Sequence, residues 1–390
     1  MRLESARDLK AEFMSRISPF SEAVNQHVAH AVSKGHGSAR GAKRGVTPLD
    51  SGFKTATAIS AQSVESLPER QRTVAVGIAP HPNKKGDFRV AIRVQRAALL
   101  NSPEVLDMVA RAPNEVDLRM IGRVVKRSAP KGNPDDEESH GRARTAALRA
   151  ASLLWHQASC RPLMIGASIG HHKVTAGTLG CFVRERRGEK RVLVLSNNHV
   201  LANEGLCARG DAILQPGYYD GGRSTADDVG TLESWIKLKP RTANTCDAAL
   251  ATIQDGVRCD YQKLRGIDGK DRAVAGLAPQ EDLEEGTIVH KVGRTTGATT
   301  GRVTAFEMEN VVVNYGIGNL RFDGQIEIEG ALTETFSDGG DSGSLIVDES
   351  YRAAALLFAG TDLGGANGRG LTYAHPLSSV LTNLKVDLLY

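Results

Sequence analysis

At 390 residues the chain is too long for one small domain, and two or three are expected. Hydrophobic residues at 41% against 24% charged allow a well-buried core, while 41 glycines and only 5% aromatics favour a β-rich, turn-dense protein over a helical bundle. A net charge of +4 is too weak and too mixed to argue for nucleic acid, and no apolar run has the length of a membrane span.

The N-terminus is charged from Arg2 onward and lacks the apolar stretch of a secretory signal, so a cytoplasmic chain is expected. The five cysteines, Cys160, Cys181, Cys207, Cys246 and Cys259, are odd in number and have no Cys-x-x-Cys spacing. Reduced thiols, no metal site and no cofactor are the expectation.

Residues 1–70 read as a helical and flexible N-terminal segment. Leu9, Phe13 and Ile17 recur on one helical face. After Pro19, Ser21 caps a second predicted helix that carries Val24, Val28 and Val32. Ser33 to Gly45 is glycine-rich and basic, with no apolar residue, and reads as a solvated flexible stretch. No aromatic is interleaved for base stacking, which argues against nucleic acid as a partner. His27, His30 and His36 are loosely spaced with no cysteine near them, and read as exposed residues rather than metal ligands.

A small α/β module is predicted over 71–127, in the order ββαβ. Thr73–Ala79 is a buried-strand run, and Asp87–Val94 alternates polar with apolar. Residues 80–86 link the two as a hairpin. Ser102-Pro103 opens a short helix that turns Val105, Leu106 and Val109 inward, and Val116–Val125 returns as a strand. Nothing in this module points to catalysis, so it is a candidate for holding a partner protein. Residues 128–160 read as a linker with an acidic run, Asp135 to Glu138, and a short helix, Ala146–His156. Within it Trp155 reads as an anchor onto a neighbouring domain.

Residues 161–390 are many short strands separated by glycine turns. A hairpin made of Gly177–Val183 and Arg191–Leu195 runs into Ser196-Asn-Asn-His-Val200. There His199 follows a buried strand, where a fixed imidazole can act as a general base, although alone a core histidine is the simpler account. Asp247 opens an apolar run, and a carboxylate there needs a hydrogen-bond partner such as an imidazole N–H; capping a turn is the alternative. Asp338-Gly-Gly-Asp-Ser-Gly-Ser344 puts Ser342 on a tight glycine-rich turn before the apolar run Leu345–Val347. Acyl transfer needs such an accessible hydroxyl and N–H donors turned toward one point, whereas a plain strand-entry turn is the structural alternative.

The order His199, Asp247, Ser342, with these local surroundings, resembles the chymotrypsin/trypsin-fold serine peptidases. Gly293-Arg-Thr-Thr-Gly297 resembles the glycine-turned strand that opens the second barrel of bacterial members, Ala354–Gly360 the strand lining their specificity pocket, and Tyr373-Ala-His-Pro376 the strand before their C-terminal helix. With the N-terminal module, the whole looks like intracellular bacterial trypsin-like peptidases, distantly akin to the plant narrow-leaf proteins. The resemblance implies a mainly β protein with two six-stranded barrels, and Ser342 as nucleophile, His199 as base and then acid, and Asp247 orienting His199. It further implies an oxyanion hole from the N–H groups of Gly340 and Ser342. The specificity pocket would have Phe336 near its base and Phe358 and Gly360 along one wall. No acid falls at that base, so a shallow site for small or medium apolar side chains is expected, and Lys/Arg preference is disfavoured.

Two departures from the family pattern matter. Ser344 stands where a glycine is usual, and no cysteine follows His199 to form a disulfide there. Secreted members also bury a newly cut N-terminus against the aspartate before the serine. No such cleavage is recognisable ahead of residue 165, so either Asp341 finds another partner or the oxyanion turn is unformed at rest. The implied function is a serine endopeptidase acting on protein or peptide substrates, with the exposed stretches 33–45 and 127–142 as candidates for self-cleavage. The alternative is a catalytically silent barrel used as a protein-binding scaffold.

Overall fold

The computed structural model of the chain describes residues 1–17, 73–128, 154–284 and 286–390. The predicted helix over 21–32, the basic stretch 33–45, the acidic run at 135–138 and most of the helix predicted over 146–156 lie outside the described residues.

The N-terminal elements follow the expected order. β1 (Val74–Pro80) and β2 (Phe88–Val94) form an antiparallel hairpin, and β3 (Val116–Met120) adds in parallel to β2 after the crossover helix α2 (Pro103–Arg111). Ser102 caps α2 by accepting from the Val105 N–H at 3.4 Å, with Pro103 in the first turn. Val105 and Met108 are buried, whereas Leu106, expected inward, is 51% exposed because it lies one residue off that face. The N-terminal helix α1 (Leu3–Ile17) packs its fully buried Phe13 into the same apolar cluster as Val76, Val90 and Ile92. The strand predicted over 116–125 is divided. After β3 the chain turns through Gly122, at φ +72, and β4 (Val125–Lys126) pairs with neither β2 nor β3 but with strands further along the chain.

The first barrel contains β5 (Ser168–His171), β6 (Gly177–Thr178), β7 (Cys181–Glu185), β8 (Val192–Ser196), β9 (Ala212–Leu214), β10 (Asp228–Trp235) and β11 (Ala249–Ala251). Only Leu179 and Gly180 separate β6 from β7, so these are two parts of one bent strand. β6 pairs with β5 and β7 with β8, which closes a six-stranded ring around Phe182, Val183, Leu195 and Leu232. Trp155 is half-buried against this core, with the Arg265 guanidinium 5.0 Å from its ring centre. A small hairpin, β12 (Lys263–Arg265) and β13 (Asp271–Ala273), precedes the second barrel.

The second barrel begins with β14 (Ile288–Gly293) and the long β15 (Gly297–Glu309). The hairpin of β16 (Val311–Tyr315) and β17 (Gly318–Phe322) branches off it. β18 (Gln325–Gly330), β19 (Leu345–Asp348), β20 (Ala353–Gly360) and β21 (Leu371–Pro376) complete the ring, in the order β14-β15-β18-β21-β20-β19. All eight residues of β20 are buried, which is why its sequence is an unbroken apolar run. A C-terminal helix and β22 (Val386–Leu388) return to the first barrel, where β22 pairs with β7. The expected mainly β double six-stranded barrel is present.

β1 pairs with β15, so the N-terminal sheet is continuous with the second barrel. Gly77 is required at that junction, because a Cβ there would lie 2.2 Å from the Met308 sulfur. Arg93 of β2 then reaches Glu327 of β18, Nε to Oε2 2.8 Å, with both side chains fully buried. Asp117 and the Tyr373 hydroxyl complete the network. Among the described residues no helix is long and apolar enough to cross a membrane.

Candidate active site

The two barrels meet at the turn after β8. Asn197 donates its side-chain amide to the Asp247 carbonyl and Asn198 to the Ile236 carbonyl, each at 2.7 Å. These bonds shape the short helix Asn198–Leu201 and so aim His199. Its backbone N–H donates to Asp247 Oδ1 at 3.2 Å, and its Nδ1 is hydrogen-bonded to Oδ2 of the same carboxylate. Asp247 as acceptor fixes the ring hydrogen on Nδ1, leaving the Nε2 lone pair free. Nε2 is buried and has no hydrogen-bond partner among the described residues.

Asp247 is fully buried and held by more than His199. The Tyr315 hydroxyl at the end of β16 donates to Oδ2, and the Asp247 N–H donates to His375 Nε2 at 2.9 Å. Burial pushes the carboxyl up, but the His199 charge and the hydrogen bonds from His199 and Tyr315 outweigh it and bring it down to about 2. Burial, then the Asp247 charge, pushes the Tyr315 phenol well above its ordinary value, so it stays a donor. Neither Tyr315 nor His375 was identified from sequence. Tyr315 ends a valine-rich strand and reads there as core, and no local signal distinguishes it.

Ser342 lies on the turn before β19, and the glycines of that turn have steric work. Gly340 has φ +104 and Gly343 φ +92. A Cβ on them would lie 2.3 Å from Thr295 Oγ1 and 2.1 Å from Ser196 Oγ, respectively. The first barrel braces the turn, with the Thr178 N–H donating to the Ser342 carbonyl at 2.8 Å and Thr178 Oγ1 to the Gly340 carbonyl at 3.0 Å. Ser344 Oγ donates back to the Asp341 carbonyl at 2.7 Å, a bond a glycine could not make. The Ser342 hydroxyl itself donates to the Phe358 carbonyl at 3.1 Å.

The partner that Asp341 requires is Lys291, at 3.4 Å, with both side chains fully buried. Oδ1 also accepts from the Thr295 and Thr296 N–H groups, and Oδ2 from Thr296 Oγ1 and the Asp338 N–H. The Gly293–Gly297 turn is thus a cradle for this carboxylate. Burial raises the Asp341 carboxyl, but the Lys291 charge and these donors outweigh it and hold it low.

The Gly340 and Ser342 N–H groups point at one acceptor, the carbonyl oxygen of Arg127, at 2.6 and 3.2 Å. β4 runs beside β20, with Gly360 opposite Val125 and Ala359 opposite Lys126, and the Arg127 N–H donates to the Phe358 carbonyl at 3.0 Å. Of the three residues expected to form the pocket, only Gly360 touches the Arg127 side chain, since a Cβ on it would lie 2.5 Å from Arg127 Nε. Phe336 is instead in the apolar cluster with Val289, Val303 and Ile328. The Phe358 ring stacks on His375, 3.9 Å between ring centres, and only its carbonyl meets Ser342 and Arg127. The cavity beside Arg127 is lined by Thr296, Thr299, Thr335, Ser337 and Asp338. Counting along the chain from Ser342 fixes where a residue falls but not which way its side chain turns.

Residues 154–376, more than half of the chain, match the Nal1 C-terminal domain. The chain belongs to the Nal1 C-terminal domain family. A relative in this family, Protein NARROW LEAF 1 of Oryza sativa subsp. japonica, is 31% identical over 248 residues, 57% of this chain and 42% of its own length. The chain therefore spans less than half of that relative. Solved structures similar to it include Thermobifida fusca Protease A, at 17% identity over 58% of this chain and 99% of that one, with a TM-score of 0.40. Cellulomonas bogoriensis chymotrypsin is similar at 18% identity over 58% and 99%, with a TM-score of 0.38.

Elsewhere, His171, Cys207 and Asp211 bring ligand-type atoms close together, but His171 Nε2 and Asp211 Oδ2 already pair at 3.1 Å.

Proposed function

We propose that this Nal1-family chain is a serine endopeptidase that acts through an acyl-enzyme. The observation that carries the proposal is the convergence of two backbone N–H groups, those of Gly340 and Ser342, on one peptide carbonyl oxygen beside Ser342. Such donors stabilise the oxyanion of an acyl-transfer transition state, and loss of one typically costs about 10²–10³ in turnover. The Asp247–His199 pair supports the same reading. A low-pKa buried carboxylate keeps the hydrogen on Nδ1, leaves Nε2 to take the Ser342 proton, and stabilises the imidazolium that results. Ser342 attacks the substrate carbonyl, His199 returns the proton to the leaving amine, and water then releases the acyl group.

One observation favours the second reading, a silent scaffold: the Ser342 hydroxyl is bonded to the Phe358 carbonyl rather than to His199. Under the peptidase reading, the Ser342 hydroxyl must leave the Phe358 carbonyl and turn to His199 Nε2 for the proton transfer. A fluorophosphonate probe applied to wild type, Ser342→Ala and His199→Ala separates the two. Labelling of wild type alone supports the peptidase. Wild type that stays unlabelled, even after Arg127→Pro removes the N–H that holds β4 to the Phe358 carbonyl, supports the scaffold.

A further inference from the structure

We infer that Val125-Lys126-Arg127 lies in the cleft as the acyl half of a substrate, that Arg127–Ser128 is the chain's own scissile bond, and that the site takes peptides bearing a Lys-Arg pair. This rests on the peptidase reading above.

The main-chain evidence is a strand bound from both sides. β4 sits between β20, to which it is antiparallel, and β16, to which it is parallel with Asn314 opposite Val125. The Asn314 N–H donates to the Val124 carbonyl at 3.1 Å, and the Arg127 N–H to the Phe358 carbonyl at 3.0 Å. Strand addition of this kind gives a peptide affinity through its backbone and leaves selectivity to the alternate side chains. The last carbonyl of the strand, that of Arg127, receives the two N–H groups beside Ser342. A peptide bond held there is the one that the hydroxyl attacks.

The side chains supply the selectivity, and both basic residues meet acids. Arg127 donates to Asp362 Oδ1 at 2.7 Å and to the Thr361 carbonyl at 2.6 Å, with Asp338 3.9 Å away. Lys126 is paired with Glu204, and its Nζ lies 5.8 Å from the centre of the Tyr315 ring. The Gly316 and Ile317 N–H groups hold the Glu204 carboxylate in place at 3.0 and 2.9 Å. Val124 is buried in the apolar cluster with Phe322 and Tyr373. The residues that the cleft reads are therefore an apolar one, then Lys and Arg.

In the step proposed, Ser342 Oγ bonds to the Arg127 carbonyl carbon and its proton passes to His199 Nε2. The Arg127–Ser128 C–N bond breaks and His199 gives that proton to the departing Ser128 nitrogen. Water then attacks the ester and its proton goes to His199, which returns one to Ser342 Oγ. The products are a carboxylate on Arg127 and an amino terminus on Ser128. The N-terminal piece remains tied to the second barrel through β1 and the Arg93–Glu327 pair.

The test uses the full chain, followed by intact mass and N-terminal sequencing. Wild type is expected to yield a fragment beginning at Ser128, at a rate independent of protein concentration, while Ser342→Ala stays whole. Arg127→Lys should still be cut and Arg127→Leu should not. On short fluorogenic peptides given to Arg127→Leu, Val-Val-Lys-Arg should exceed Val-Val-Lys-Leu by roughly 10- to 100-fold in kcat/KM, the worth of a charged hydrogen bond. Asp362→Asn should narrow that gap. If the fluorophosphonate labels Ser342 but wild type stays whole and both peptides are cut alike, this inference is overturned and the peptidase reading survives. If no variant is labelled, both readings are lost.

Discussion

Lys291 and Asp341 form a fully buried ion pair directly behind the turn that carries Ser342, with 3.4 Å between Nζ and Oδ2. Lys291 also donates to the Gly297 carbonyl at 3.0 Å. The chain thus supplies the counter-charge of Asp341 from within.

Replacing Lys291 by Met should therefore leave the Asp341 carboxylate buried without its counter-charge. Breaking such a pair from one side costs about 3–5 kcal/mol. The expected result is a large fall in the urea midpoint together with loss of fluorophosphonate labelling, as the Gly340 N–H turns away. Full labelling of a stably folded Lys291→Met protein would show that the pair does not hold the turn.

Asp247→Asn preserves shape but removes the charge that faces His199. Loss of a triad aspartate in this way costs on the order of 10⁴ in kcat. Under the proposed peptidase function, peptide hydrolysis should fall by that order while the thermal midpoint changes little. Unchanged turnover would mean that Asp247 has no part in the reaction.

Tyr315→Phe deletes one donor to the same carboxylate and nothing else of size. A hydrogen bond to a charged acceptor is worth about 1.5–3 kcal/mol, so kcat should drop roughly tenfold or more. The Asp247 carboxyl should also titrate higher than in wild type, read from its side-chain carbon NMR shift. An unchanged kcat and carboxyl titration would assign Tyr315 a packing role only.

His375 links stability to pH. Burial holds its imidazole down, from an ordinary 6.5 to about 3, despite the nearby Asp247 charge, while the His199 charge adds to the lowering. The unfolded chain takes up a proton below pH 6.5 and the folded chain resists it, so stability is present above 6.5 and lost as pH falls toward 3. Between pH 6.5 and 4.5 the loss should be on the order of 2–3 kcal/mol. His375→Gln should flatten that slope in urea titrations, and an unchanged slope would place the effect on other groups.

The sequence alone determined most of the strand runs and, through the resemblance its motifs carry, the mainly β double-barrel fold; it also named His199, Asp247 and Ser342 as candidates. Period-two patterning, the glycine turns and the short motifs around His199, Asp247 and Ser342 are local features, written within a few neighbours. The strand predicted across 116–125 went wrong at Gly122, where a left-handed turn sends β4 to other partners, β16 and β20. Only the tertiary structure brought Tyr315 to Asp247, 68 positions away, and Lys291 to Asp341. It also decided that Phe336 turns into the core and that Arg127, 215 positions before Ser342, fills the cleft. These contacts depend on how barrels and strands close in space, and a one-dimensional pattern carries no record of which distant surfaces will meet.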